Sequence, residues 1–73
     1  MTHEEILAAL LNRGYIVGIR DRRLNTNYEG RFMVVEDTYH DLELPTKDGS
    51  NGPWCIVGND LWNLIDQAYH DAP

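Results

Sequence analysis

Four consecutive apolar residues, Phe32-Met33-Val34-Val35, lie near the middle of this 73-residue chain. Successive side chains of a strand point to opposite faces of a sheet, so such a run indicates a strand that is buried on both faces. We therefore predict a strand from about 29 to 39 and place it at the centre of a sheet. The rest of the chain has to supply the neighbouring strands and the layer that covers them.

A helix is predicted at the start of the chain, over about residues 3–13. Thr2 and Glu5 have the spacing of a capping box, in which each side chain satisfies a free backbone N–H of the first turn. Gly14 is suited to the left-handed conformation that commonly ends a helix. The apolar stripe of this helix consists of Ile6, Leu7, Leu10 and Leu11.

A strand followed by a hairpin is predicted next. Residues 15–20 are rich in β-branched and aromatic types, and alternate residues from Tyr15 onward share one face. Gly18 interrupts this run, which suggests a bulge or a close approach to the backbone. Residues 24–27 have the composition of a turn, so the strand should form a hairpin with the central strand.

The segment after the central strand has a less regular pattern. Residues 38–44 either continue that strand or form a further short one, and the pattern leaves both alternatives open. Residues 45–53 predict a mobile loop, because Asp48-Gly49 and Asn51-Gly52 are turn dipeptides and no apolar residue lies between the two prolines.

The last part of the chain predicts a short strand over 54–57 and a helix over about 60–70. Asn59 is suited to cap this helix, and Asp60 is placed favourably against its dipole. The core-facing stripe of the helix consists of Leu61, Leu64, Ile65 and Ala68.

These elements predict one α+β domain over residues 1–73. It is a small two-layer fold with an antiparallel sheet of three to four short strands and both terminal helices on one face, in the order α-β-β-(β)-β-α. A chain of this size buries only about 60% of its unfolded surface, so a homodimer and a monomer are given equal weight. No apolar run approaches a membrane span and no secretory signal is visible, so we expect a cytoplasmic protein that does not contact membranes.

Catalytic and metal-binding patterns are absent from the sequence. Glu36 and His40 would be about 13 Å apart along a strand, which is too far for one ion. No pair of cysteine or histidine residues has metal-ligand spacing, and no calcium loop is present. Cys55, the single cysteine, lies between apolar residues and is interpreted as a buried strand residue of low reactivity. We therefore expect neither an enzyme nor a bound cofactor or metal.

The charge is distributed unevenly along a chain whose formal net charge is −6. Residues 1–31 carry five arginines and four acids, whereas residues 32–73 carry one lysine and eight acids. An acidic domain repels nucleic acid and is attracted to a basic protein surface. The arginines either contact phosphate or offset the acidic surplus of the fold, and the second interpretation is favoured. The arginines near the hairpin are Arg20, Arg22, Arg23 and Arg31.

An aromatic ridge is predicted on the last helix. Trp62, Asp66 and Tyr69 are spaced at i, i+4 and i+7 beside the core stripe, where aromatic side chains can act as protein-binding anchors. The alternative, with equal weight, is that Trp62 and Tyr69 cover the edge of a small core. The sequence does not separate these two interpretations.

Three functional hypotheses follow from these patterns. The leading one is a non-enzymatic acidic protein-binding module that docks on a basic surface of a nucleic-acid-handling protein. A small phage-type inhibitor or nucleic-acid mimic, for example one of anti-CRISPR type, is one concrete form. The second is a small nucleic-acid-binding regulator that uses the arginines near the hairpin, and the third is a small dimeric ligand-binding or enzymatic subunit involving Cys55 or His40. The residues expected to contact a protein partner are Trp62, Asp66, Tyr69, Asp37, Asp41 and Glu43.

Overall fold

The computed structural model of the protein describes residues 1–24, 26–37 and 53–73. The described elements form the predicted small α+β domain, in the order α-β-β-β-α. The further strand predicted within 38–44 lies outside the described residues, as does the predicted loop except for Pro53, which is buried. The elements are α1 (His3–Asn12), β1 (Tyr15–Ile19), β2 (Phe32–Glu36), β3 (Cys55–Gly58) and α2 (Leu61–Asp71).

The described strands form an antiparallel sheet in the order β1-β2-β3. The central position predicted for the Phe32–Val35 run is therefore confirmed. Val34 faces the helices, whereas Met33 and Val35 are buried on the opposite face. The strand is shorter than the predicted 29–39, because it pairs with β1 only from Phe32, opposite Ile19, to Glu36, opposite Tyr15.

The predicted capping box at the start of α1 is present. The Thr2 hydroxyl oxygen accepts a hydrogen bond from the Glu5 backbone N–H at 3.2 Å, and the Glu5 carboxylate accepts one from the Thr2 N–H at 3.1 Å. Gly14 follows the helix with a φ of +90°, which is the left-handed conformation predicted for it. Both ends of α1 are thus determined by local sequence signals.

The start of α2 differs from the prediction by one residue. Asp60 caps the helix, since its carboxylate accepts a hydrogen bond from the Asn63 backbone N–H at 3.2 Å. The side-chain oxygen of Asn59, the predicted cap, accepts a hydrogen bond from the Arg31 backbone N–H at 3.1 Å instead. A long-range contact at the end of the sheet therefore takes Asn59 away from the helix.

Both helices pack on the same face of the sheet, as predicted. α1 packs against β1 and α2, whereas α2 packs against β2 and β3. The helices run in the same direction, because His3 and Trp62 meet near their starts, and Arg13 and Tyr69 meet near their ends. The buried residues of this core are Ile6, Leu10, Tyr15, Val34, Leu64, Ile65 and Ala68.

The opposite face of the sheet carries a second buried cluster, formed by Leu24, Met33, Val35 and Cys55. Gly18 lies on this face, opposite Met33, in a regular ladder without the predicted bulge. No heavy atom of the described chain comes within 4 Å of the position that a Cβ on Gly18 would occupy. Among the described residues, the close approach expected at Gly18 is not found.

Candidate functional site

Trp62 lies on the side of α2 that faces the start of α1. Its indole stacks on the His3 imidazole, with ring centroids 4.9 Å apart and ring planes 10° apart. Trp62 nevertheless remains 40% exposed. The stack holds the ring in one orientation while leaving a large apolar area in contact with solvent, which suits an aromatic anchor.

Tyr69 is covered more completely than Trp62. The Arg13 guanidinium carbon lies 4.8 Å from the centre of the tyrosine ring, and the guanidinium also donates a hydrogen bond to the Tyr69 backbone oxygen at 3.4 Å. The Tyr69 hydroxyl contacts the sulfur of Met1 at 3.3 Å. Tyr69 therefore joins α1 to α2, which corresponds to the second of the two roles considered for the aromatic ridge.

Asp66 lies between the two aromatic residues on α2 and is exposed. Its carboxylate is 3.8 Å from His70 Nε2, one helical turn further on. A pair of this kind on an exposed helix surface contributes at most about 0.5 kcal/mol to the free energy of unfolding. The carboxylate therefore remains accessible to a partner with basic groups.

The helix layer, defined as residues 1–13 and 60–73, has an acidic surface. It contains five acids and one arginine, for a net charge of −4 with histidines neutral. All five acids are exposed, whereas the arginine, Arg13, contacts Tyr69. Trp62 thus belongs to a layer with an excess of exposed negative charge. The five acids are Glu4, Glu5, Asp60, Asp66 and Asp71.

The other predicted acidic contacts are not brought next to this layer. Asp37 is exposed just beyond β2, where its backbone N–H donates a hydrogen bond to the Gly14 carbonyl at 2.7 Å. No contact in the described part of the chain joins Asp37 to Asp66. Asp41 and Glu43 lie outside the described residues.

Two of the arginines near the hairpin hold their own segment together. Arg20 donates hydrogen bonds to the Tyr28 carbonyl at 2.8 Å and to the Thr26 carbonyl at 3.4 Å. Arg23 forms two side-chain hydrogen bonds to Asp21, both at 3.1 Å. These bonds lower the pKa of Asp21 below its ordinary value. Both guanidinium groups are engaged within the β1–β2 connection, residues 20–31.

The other two arginines of this connection are more accessible. Arg22 and Arg31 are exposed, and no hydrogen bond or ion pair with another described residue engages either guanidinium group. Tyr28, on the same connection, is 60% exposed. With four arginines and two acids, residues 20–31 carry a net charge of +2 and contrast with the acidic helix layer.

An open cleft of about 520 Å³ lies where α1 ends and β2 ends. Arg13, Tyr15, Glu36 and Asp37 contribute to its lining, so charges of both signs are mixed there. The Tyr15 hydroxyl donates a hydrogen bond to the Pro73 carbonyl oxygen at 2.8 Å. Burial, together with the negative charge of Glu36, raises the pKa of Tyr15. The mixed lining gives this cleft no clear preference for an anion or a cation.

Catalytic groups do not converge in the described residues. Cys55 is 4% exposed in β3, which confirms its predicted burial in a strand. His40 lies outside the described residues. Across residues 1–24, 26–37 and 53–73, no three His, Cys, Asp or Glu side chains are grouped so that they could hold a metal ion.

Comparisons with known proteins give no match. No protein-family model matches the chain, and neither a curated protein nor a solved structure does. Neither described helix has the length and apolar composition needed to cross a membrane.

Proposed function

We propose that this protein is a non-enzymatic protein-binding module that docks its helix layer on a basic surface of another protein. The proposal rests mainly on one observation: Trp62 is fixed by His3 yet 40% exposed, within a helix layer of net charge −4. Exposed, oriented aromatic residues with a charged rim are typical of the centres of protein interfaces.

The electrostatics favour a partner that normally binds nucleic acid. The chain as a whole has a net charge of −6 and repels phosphate backbones at long range. A basic groove built for phosphates attracts such a surface and accelerates the encounter. A small phage-type inhibitor of a cytoplasmic nucleic-acid-processing protein, of nucleic-acid-mimic or anti-CRISPR type, is the concrete form of this proposal.

A matched pair of single variants tests the acidic surface. Asp66→Lys and Glu29→Lys each change the charge by the same amount at an exposed acid, but only Asp66 belongs to the helix layer. We would capture partners from nuclease-treated lysate of the source cells and then measure the affinity of the purified partner by calorimetry. Asp66→Lys should weaken binding about tenfold or more, and Glu29→Lys should change it less than about threefold.

Trp62→Ala tests the anchor independently of charge. Truncating a central aromatic residue costs about 2 kcal/mol or more of binding free energy, which is roughly a thirtyfold loss of affinity. Circular dichroism would show whether α2 remains folded in the variant. A partner whose affinity is unaffected by both Trp62→Ala and Asp66→Lys would exclude the helix layer as the binding surface.

Nucleic-acid binding through the β1–β2 connection is the second candidate. The exposed Arg22 and Arg31, with Tyr28 between them in sequence, favour it. Fluorescence anisotropy with single-stranded DNA and RNA would test it directly. The informative variant is Arg22→Gln combined with Arg31→Gln, because replacing Arg20 or Arg23 would also remove the hydrogen bonds within the connection. Binding that this double variant abolishes would favour the second candidate over the first.

A further inference from the structure

β1 lies at an edge of the described sheet, and its outward backbone groups can be identified from the register. The Arg20 N–H bonds to the Arg31 carbonyl and the Asp37 N–H bonds to the Gly14 carbonyl, so even-numbered residues of this strand point toward β2. Because hydrogen-bonding direction alternates along an antiparallel strand, the odd-numbered residues point away from the sheet. Three residues, Tyr15, Val17 and Ile19, thus direct their N–H and C=O groups outward, without a hydrogen-bond partner in the described chain.

This edge lacks the features that usually prevent strand addition. Residues 15–19 contain no charge, no proline and no bulge. Ile19 is 76% exposed, and no described heavy atom lies within 4 Å of the position of a Cβ on Gly18. β1 is therefore an available edge of the described sheet.

The position of α1 determines what kind of strand this edge can accept. α1 packs on β1, whereas α2 covers β2 and β3. Neighbouring helices lie about 8–10 Å apart, whereas neighbouring strands lie about 4.8 Å apart. Because α2 lies above β2 and β3, α1 lies above β1 or beyond it, at the edge of the sheet. If two copies paired through β1, their α1 helices would meet near the same two-fold axis and collide. A single extended segment has no helix layer and fits in the space beside β1.

We propose that β1 binds an extended segment of a partner protein, which adds a strand to the sheet. The segment would have an uncharged, β-prone centre of about five residues and acidic ends. Its apolar residues would cover Ile19, and an aromatic residue would lie over Gly18, as aromatic side chains do beside edge glycines. The acidic ends complement an arginine at each end of the strand. Arg22, after the strand, is exposed, and Arg13, before it, is also exposed although its guanidinium contacts Tyr69. This surface is separate from the proposed acidic docking surface around Trp62 and does not depend on it.

The probe for this proposal is a capped synthetic peptide, Glu-Val-Phe-Val-Thr-Thr-Glu. We expect a dissociation constant below about 1 mM by NMR titration of the full chain. Hydrogen exchange should slow at the amides of Tyr15, Val17 and Ile19, while Ile16 and Gly18, already bonded to β2, change little. This alternating pattern is specific to strand addition. A peptide of the same sequence with N-methylated backbone at alternate residues should not bind.

Two protein variants complete the test. Val17→Pro removes an N–H that points away from the sheet, and edge strands tolerate proline at such positions. The variant should weaken peptide binding at least about tenfold. Ile19→Glu provides a second variant at an exposed position; it removes the apolar contact and repels the acidic ends, so it should also weaken binding, even if Val17→Pro unfolds. Absence of binding at 2 mM peptide, roughly twice the expected limit, would overturn the proposal. Protection of the outward amides that rises with protein concentration alone would overturn it in favour of a homodimer.

Discussion

Gly30 packs directly against the backbone of Gly58, and a Cβ atom on Gly30 would lie 2.8 Å from the Gly58 Cα. This contact joins the β1–β2 connection to the last residue of β3. Neither residue has a positive φ, so the requirement for glycine at Gly30 is one of space and not of backbone conformation. The adjacent bond between the Arg31 N–H and Asn59 holds the same two segments together.

Replacing Gly30 by alanine should therefore destabilise the fold. Backbone atoms would have to move to admit the methyl group, and overpacking of this kind costs about 1–3 kcal/mol. Gly18→Ala is the matched control, because open space surrounds the new Cβ and alanine lowers the entropy of the unfolded chain. Urea denaturation should show a lower free energy of unfolding for Gly30→Ala only. Equal losses for both variants would contradict the role of the Gly30–Gly58 contact.

Removing the cap of α2 should have a smaller effect. Asp60→Ala leaves the Asn63 backbone N–H without its acceptor and should lower the free energy of unfolding by about 1 kcal/mol. Asp66→Asn serves as the control, since it alters only the exposed pair with His70 and should change stability by less than about 0.5 kcal/mol. If both variants unfold at the same urea concentration as the wild type, the cap is not at Asp60.

Tyr15 should make the fold sensitive to high pH. Because burial raises the pKa of Tyr15 above its ordinary value of 10.0, the folded state holds the phenol proton more tightly than the unfolded state. The contribution of the protonated Tyr15 phenol to the free energy of unfolding is complete below pH 10 and is lost as the pH rises through the pKa of Tyr15 in the folded state. Tyr15→Phe should lessen the fall in unfolding free energy above about pH 10. Tyr28→Phe, which alters a ring that is 60% exposed, should keep the wild-type dependence.

The pKa of Asp21 should depend on its contact with Arg23. Hydrogen bonds from Arg23 lower the pKa of Asp21, so the contact is present above the ordinary value of 3.8 and is lost as the pH falls through the folded pKa. Arg23→Gln should shift the NMR titration midpoint of the Asp21 carboxyl carbon upward, toward 3.8. Arg22→Gln, which changes a neighbouring exposed arginine, should leave it in place. A midpoint that both variants leave unchanged would show that Arg23 does not bind Asp21 in solution.

Local signals in the sequence were sufficient to predict the elements of the fold. The capping box of Thr2 and Glu5, the left-handed Gly14 and the apolar Phe32–Val35 run each act within a few residues, and each has its predicted role. The helix cap predicted at Asn59 failed because it depends on a partner far away in the chain. Asn59 has the composition of a cap, but it bonds to Arg31, 28 residues away.

The candidate site was harder to predict for the same reason. The spacing of Trp62, Asp66 and Tyr69 placed them correctly on one side of α2. It did not reveal that His3 would stack on Trp62 or that Arg13 would cover Tyr69. Those contacts arise because α1 and α2 run side by side in the same direction, a relationship set by the intervening sheet. The only sequence signal for the stack was the position of His3 three and four residues before Ile6 and Leu7, which places it on the apolar side of α1.

The shared core of the two helices also constrains the order in which the chain can fold during synthesis. Leu64, Ile65 and Ala68 supply the part of that core contributed by α2, which is translated after all the other described elements. Until α2 emerges from the ribosome, Leu10 and Val34 lack the side chains that bury them. The nascent chain can form its hairpin early, since those contacts are local, but it cannot complete its tertiary structure cotranslationally before α2 appears.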